Sequence, residues 1–288
     1  MPSETHQAVP GQSAAEQPVE ARQGMPATAG RFQKRVVLVV GGGTGIGAAS
    51  ARLFAREGAI VAVADIDARS ASGVADSICA TGGTAGSFEA DVRSDESIAL
   101  LVSNVVARFG RLNALFNCAG GSLPDDAPVA DVDLSVWERT MNLDARGTVL
   151  CCRHAIPAII AAGGGTVVNM SSGAALRGSG KAHIYAAAKG AVVSLTRALA
   201  GTYARDNVRI NAICSGRVNT ERIRRTYGIP GRPGANADAM QVDEQIKAYP
   251  FWFGEPEDIA NIALFLLTDE SRMITGAAIP ADGGRSAY

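Results

Sequence analysis

The chain has 288 residues, 47% of them hydrophobic and 19% charged, with a formal net charge of -1. That much apolar sequence can bury one large core, and the near-neutral balance gives no long-range pull toward nucleic acid or an anionic membrane. No run of about 18 apolar residues offers a membrane span, and the five cysteines lack Cys-x-x-Cys spacing and nearby histidine partners.

Metal sites are therefore not expected, and the thiols read as reduced and mostly buried in a cytoplasmic protein. Residues 1–30, rich in Pro, Gln, Ala, Glu and Ser without an apolar signal core, read as a disordered N-terminal tail, with Met25 as an alternative start. Residues 31–288 then form one domain.

Arg35 to Val40 is a continuous run of mostly β-branched residues, as a buried parallel strand requires. Gly41-Gly-Gly-Thr-Gly-Ile-Gly47 follows at once, and Ala48 to Glu57 reads as a helix ended by Gly58. A strand, a glycine turn and a helix let backbone approach a pyrophosphate while the helix N-terminus presents free N–H groups. The glycine register is open: Gly43, Gly45 and Ala48 match G-x-G-x-x-A, whereas Gly41, Gly45 and Gly47 match G-x-x-x-G-x-G. The second strand, Ile60 to Ala64, ends in Asp65, whose carboxylate suits an adenosine ribose and repels a 2′-phosphate. NAD is favoured on that ground, with NADP kept open by the nearby Arg69.

Asp67 to Thr81 reads as a helix and Ser87 to Val92 as a short strand. Ser94 then caps a helix whose Ile98, Leu101, Val102, Val105, Val106 and Phe109 form one apolar stripe. Leu112 to Phe116 is the next strand, closing in Asn117-Cys-Ala-Gly120. Leu134 to Ala162 reads as one long helical stretch containing Asn142, Cys152 and His154; adjacent helix positions face different ways, so core packing is favoured over a thiol–imidazole pair. Thr166 to Met170 is a strand with Ser171-Ser172 at its carboxyl end, where open α/β sheets bind ligands. Alternation of strands and helices specifies a doubly wound, mostly parallel, Rossmann-like sheet in a three-layer α/β/α arrangement.

Ser172 precedes Tyr185 by thirteen residues, and Tyr185 opens Tyr-x-x-x-Lys with Lys189 on a helical face. A free tyrosine titrates near pH ~10, so neutrality lies about three units, or roughly 4 kcal/mol, away. A cation ~4 Å distant at an effective dielectric of ~20 supplies about that much. His183 reads equally as a pocket wall or a surface residue. Val208 to Cys214 is a further strand, and Arg217 to Gly254, without steady period and rich in Arg, Gly, Pro and aromatics, reads as a substrate lid. Ile259 to Leu267 marks the last helix and Ala277 to Pro280 the last strand.

Together, Gly41-x-x-x-Gly45-Ile-Gly47, Asp65, Asp91-Val92, Asn117-Cys-Ala-Gly120, Asn142, Ser172, Tyr185-x-x-x-Lys189, Asn211, Thr220 and Asp282-Gly-Gly284 resemble the compact branch of the short-chain dehydrogenase/reductase family over residues 33–288. The resemblance implies that Gly41, Gly45 and Gly47 hold the pyrophosphate, Asp65 the ribose, and Asp91 and Val92 the adenine. It also assigns Thr44, Ile46, Asn117, Ala119, Gly120, Gly216, Val218 and Thr220 to the cofactor cleft. Val40, Cys118 and Ser215 depart from the family pattern at loop-supporting positions.

The implied reaction is reversible hydride transfer between a secondary alcohol or ketone and a nicotinamide. Tyr185 would be the acid/base, Ser172 the partner of the reacting oxygen, Lys189 the ribose-binding cation and Asn142 the holder of a relay water. The competing readings are an NADPH-linked 3-oxoacyl-(acyl-carrier-protein) type ketoreductase and a non-catalytic nucleotide sensor. A homotetramer or homodimer, through apolar faces around Leu150 and Leu195, is the assembly expected; no nucleic-acid or membrane partner is.

Overall fold

Seven strands pair in parallel in the order β3-β2-β1-β4-β5-β6-β9. They are β1 (Val36–Val40), β2 (Ile60–Asp65), β3 (Thr84–Glu89), β4 (Ala114–Asn117), β5 (Gly165–Ser172), β6 (Val208–Ser215) and β9 (Ala278–Ala281). The structure is a computed structural model and describes residues 30–178, 180–227, 249 and 251–287. Residues 1–29 of the expected tail and residues 228–248 and 250 of the expected lid lie outside the described residues.

Alternating strand residues feed two helical layers. Val37 and Val39 face α1 (Gly45–Arg56), α2 (Ala68–Ala80) and α8 (Pro256–Leu267), whereas Val36, Leu38 and Val40 face α3 (Asp95–Phe109) and α5 (Gly147–Ala161). Both faces of β1 are therefore dry, which is why it is apolar throughout instead of alternating with polar residues. Among the described residues no helix is long and apolar enough to cross a membrane.

Of the element boundaries that differ from the sequence reading, three bear on the site. The third strand begins at Thr84, directly after the Gly82-Gly83 turn, so Asp91 and Val92 lie beyond it on the way into α3. Helix α1 begins at Gly45, so the last glycines of the turn form its first turn. The long stretch from Leu134 is broken: α4 (Leu134–Thr140) passes into a π-helical turn, Met141–Arg146, before α5. There the N–H of Gly147 donates to the carbonyl of Asn142, five residues back.

Leu150, expected on an outward face, packs inside the core. His154 bonds Asp95 of α3 at 2.8 Å while Cys152 points into the core beside Asn117 and Asn169, so the two side chains face different ways as expected.

The irregular segment after β6 is pinned at both ends, because β7 (Arg217–Val218) pairs in parallel with β8 (Phe253–Gly254). Between them α7 (Glu221–Tyr227) carries Arg222 back over the loop after β4, where its Nη1 donates to the Ser122 carbonyl at 3.3 Å.

The sheet edge behind this region is closed by Arg209. From β6 its guanidinium donates to the carbonyls of Leu266, Thr268, Ser271 and Ile274 at 2.8–3.1 Å, capping the end of α8. Asn211 adds a bond to the Ile274 carbonyl and accepts the N–H of Ala277, fixing the entry to β9. Replacing Arg209 by Met should strand these buried carbonyls and lower unfolding free energy by about 2–4 kcal/mol in urea denaturation, without changing the slope of the transition.

Candidate active site

Glycine geometry settles the register left open by the sequence. Gly41 (φ 76°) and Gly45 (φ 51°) are left-handed, and a Cβ on Gly47 would lie 1.9 Å from the Gly41 carbonyl oxygen. The turn thus requires Gly41, Gly45 and Gly47. Thr44, the N-cap of α1, makes no side-chain cap hydrogen bond, so the helix start is open toward a ligand. Asp65 closes the turn from the end of β2: its Oδ2 accepts the N–H of Gly43 at 2.9 Å and its Oδ1 that of Asp67 at 3.1 Å. Asp91 is held in a fork by Arg93, whose hydrogen bonds outweigh partial burial and keep the carboxyl below its usual range.

The Asn117 side chain points into the core. Its amide donates to Asn169 Oδ1 at 2.8 Å and to Cys152 Sγ at 3.5 Å inside the core. It supports the cleft from behind, and Asn169, which in turn donates to Thr196 Oγ1, belongs to the same network.

The largest addition to the sequence reading is Asp144. The π-turn brings its carboxylate to the Lys189 ammonium at 2.7 Å, with only 4% of the lysine side chain and none of the aspartate exposed. Lys189 also donates to the Met170 carbonyl at 3.0 Å, and its Nζ lies 5.7 Å from the Tyr185 ring centroid. Burial pulls the ammonium down, but the charges of Asp144 and Tyr185 outweigh it and leave Lys189 above its ordinary value. Asp144 Oδ1 also accepts the N–H of Gly121 at 3.0 Å, and a Cβ on Gly120 would lie 2.3 Å from that oxygen. In sequence Asp144 looked like one more polar residue in a long helix; only the change of helical phase at Asn142 turns it inward.

Ser172 and Tyr185 line one cleft of about 410 Å³, whose wall also includes Ile46, Gly216, Val218 and Thr220. The Ser172 hydroxyl oxygen accepts the N–H of Ala174 at 3.1 Å, leaving its own proton to donate elsewhere. Helix α6 (His183–Tyr203) has no capping side chain of its own; Asp126, from the loop after β4, accepts the N–H groups of Ile184 and Tyr185 at 3.2 and 2.8 Å. His183 accepts the N–H of Val129 at 3.0 Å, so it fastens that loop rather than facing the cleft.

Asp126 was not singled out in the sequence, because nothing local marks a carboxylate that caps a helix almost sixty residues away. Of the departures noted above, Val40 is buried core, and burial pushes the Cys118 thiol up to about 12, so it stays protonated near neutrality. Among the described residues no group of three or more His, Cys, Asp or Glu side chains is placed to hold a metal ion.

These residues fit a dinucleotide. The open start of α1, three glycines that exclude side chains and the ribose-competent Asp65 lie at β1 and β2, and the cleft bearing Ser172 and Tyr185 adjoins them.

A family model described as "Enoyl-(Acyl carrier protein) reductase" matches residues 41–286. A protein of Bradyrhizobium diazoefficiens, named as a short-chain type dehydrogenase/reductase, is 38% identical over 90% of this chain and 90% of its own. The cis-4-hydroxycyclohexanecarboxylate dehydrogenase of Sinomonas cyclohexanicum is 36% identical over 89% of this chain and 98% of its own. A solved 7α-hydroxysteroid dehydrogenase, complexed with NADH and 7-oxo glycochenodeoxycholic acid, superimposes with a TM-score of 0.78 at 27% identity, covering 90% of this chain and 97% of that one.

Removing one member of the buried pair should be costly. Asp144→Leu is expected to lower unfolding free energy by about 3–5 kcal/mol, and adding Lys189→Met should recover much of it. Because the Lys189 value is raised on folding, its contribution is complete below about pH 10.5 and fades as pH rises further. Urea melts repeated at alkaline pH should therefore bring wild type and variant together.

Proposed function

The chain belongs to the short-chain dehydrogenase/reductase family and is an alcohol dehydrogenase of it, and on that footing we propose that it exchanges a hydride between a ring-bearing secondary alcohol and NAD. The observation that carries this reading is the convergence of Ser172 and Tyr185 on one cleft, with the buried Lys189 behind the phenol. The bound nicotinamide would supply the hydride acceptor or donor.

Tyr185 takes the hydroxyl proton as the alcohol is oxidised and returns it in the reverse direction. Ser172, its oxygen already held by the Ala174 N–H, donates to the reacting oxygen and fixes its position. Lys189 stabilises negative charge on the phenol oxygen and binds the nicotinamide ribose, and Asn142 holds the water through which protons leave. Gly41, Thr44, Gly45, Ile46 and Gly47 would hold the pyrophosphate and Gly216, Val218 and Thr220 the nicotinamide end. Ala119 and Gly120 would support the cofactor cleft, and Asp91 and Val92 would border the adenine.

Asp65 supports NAD over NADP. Two backbone N–H groups fix its carboxylate at the end of β2, where a 2′-phosphate would meet a negative charge. A ring alcohol is favoured because the relative from Sinomonas cyclohexanicum is named for one. Leu134, Trp137 and Val149 are exposed along α4 and α5, an apolar surface that a second copy of the chain would cover.

Tyr185→Phe should lower kcat by about 10³-fold or more while the Kd for NADH changes little, measured by fluorescence titration; near-normal turnover would refute the assignment. Asp65→Ser should lower the NAD-to-NADP ratio of kcat/KM by about 10²-fold. It should also weaken NAD binding, since the glycine turn loses its acceptor. An unchanged ratio would remove the basis for NAD.

A further inference from the structure

Three neighbouring strand ends each send an arginine to the same cleft. Arg177 follows β5, Arg217 follows β6 and Arg285 follows β9, and all three line the wall that holds Ser172 and Tyr185. The register is direct: Ser172 pairs with Ser215, and Ser215 with Ala281, four residues before Arg285.

Arg285 is the unusual member. It is 6% exposed, and its Nε makes no hydrogen bond. A guanidinium offers five donors, and leaving one buried and unused costs free energy. Burial, then the like charges of Arg177 and Arg217, push Arg285 down to about 10, and the attraction of Asp282 offsets these less than they oppose it. One Asp282 oxygen accepts the N–H of Gly284 at 3.1 Å, and the other, Oδ2, is buried in the same wall without a hydrogen-bond partner. Of the other acids, Asp126 is committed to the N–H groups that start α6.

Along the sheet β9 lies four positions from β1, roughly 19 Å at about 4.8 Å per strand, so Arg285 comes from the side of the cleft away from the glycine turn. An anion reaching Arg285 therefore enters on the side of Ser172 and Tyr185, with the substrate.

We infer that the cleft contains an anion subsite in which Arg285, flanked by Arg177 and Arg217, binds a carboxylate carried by the alcohol or ketone substrate. This rests on the hydride-transfer reading above and narrows its substrate to hydroxy acids and oxo acids. A guanidinium fork matches the two oxygens of a carboxylate in one plane, and a site poor in water strengthens the contact. The subsite orients the substrate by its far end, so that one face of the carbinol carbon is presented.

The test uses the full-length enzyme with saturating NAD and three alcohols: cis-4-hydroxycyclohexanecarboxylate, its methyl ester and cyclohexanol. The acid should exceed the ester in kcat/KM by about 30-fold or more, and Arg285→Gln should erase that ratio mainly through KM. Arg285→Lys, which keeps the charge without the fork, should retain part of it. If Arg285→Gln does not fold, Arg177→Gln should lower the same ratio in the same direction. An acid no better than its ester, or a ratio untouched by these variants, overturns the subsite.

Calorimetric binding of the unreactive cyclohexanecarboxylate to the NADH-bound enzyme separates this from failure of the catalytic reading. If no alcohol is oxidised yet carboxylate binding is present and lost in Arg285→Gln, the subsite stands and hydride transfer falls. Absence of binding overturns the subsite. Inorganic phosphate binding as tightly as the carboxylate would assign the site to a free anion and overturn it as a substrate subsite.

Discussion

An ammonium buried at the carboxyl edge of the sheet constrains much of what surrounds it. Lys189 is almost without solvent, and an unpaired charge there would cost several kcal/mol. The surrounding chain is arranged to meet that cost. Asp144 supplies the counter-charge, Met170 a carbonyl at the end of β5, and the Ser171 hydroxyl donates to the carbonyl of Lys189 itself. Delivering Asp144 requires the helical phase to shift at Asn142, which the π-turn does. Admitting its carboxylate beside the loop after β4 requires that Gly120 carry no side chain. A glycine, a helical irregularity and the end of a strand thus follow from one charge.

The pair also changes how Lys189 can act on Tyr185. An isolated cation four residues along a helix would raise a potential large enough by itself to favour phenolate. With Asp144 2.7 Å away the two charges form a nearly neutral unit, and what reaches the phenol is the field of a dipole, weaker and dependent on orientation. Lys189 is then held charged and in place by Asp144, and on the proposed mechanism its effect on the phenol oxygen comes from direction more than from net charge. Pre-orientation of this sort costs little at the moment of reaction, since the groups do not rearrange.

The parallel, doubly wound character of the sheet and the shared helical face of Tyr185 and Lys189 were legible in the sequence because each rests on local pattern. A β-branched run, a glycine turn and a four-residue helical spacing need no knowledge of distant chain. Asp144 and Asp126 were not legible, since each acts on a residue brought near only by the fold. Asn117 shows the converse: its place in the motif was evident, but the direction of its amide, into Asn169 and Cys152, was set by packing. The third strand was misplaced by three residues because Gly82-Gly83 was read as loop ahead of the strand, whereas the chain leaves that turn already extended.

Across the sheet the cleft has an electrical polarity that the composition conceals. On the β1 and β2 side stand the carboxylate of Asp65 and the open N–H groups of α1, suited to a ribose and a phosphate. On the β5, β6 and β9 side stand Arg177, Arg217 and Arg285, in a chain whose net charge is only -1. Like charges gathered in one wall repel, and burying one of them adds a desolvation cost, so the arrangement works against the stability of the ligand-free protein. Glycines hold the ends of β6 and β9 in contact there, with Gly216 so close to Asp282 that a Cβ would lie 2.6 Å from its Cα. A buried cation that lacks its full complement of acceptors is stabilised by an anion that comes to it, and on the proposed reading that anion is part of the substrate.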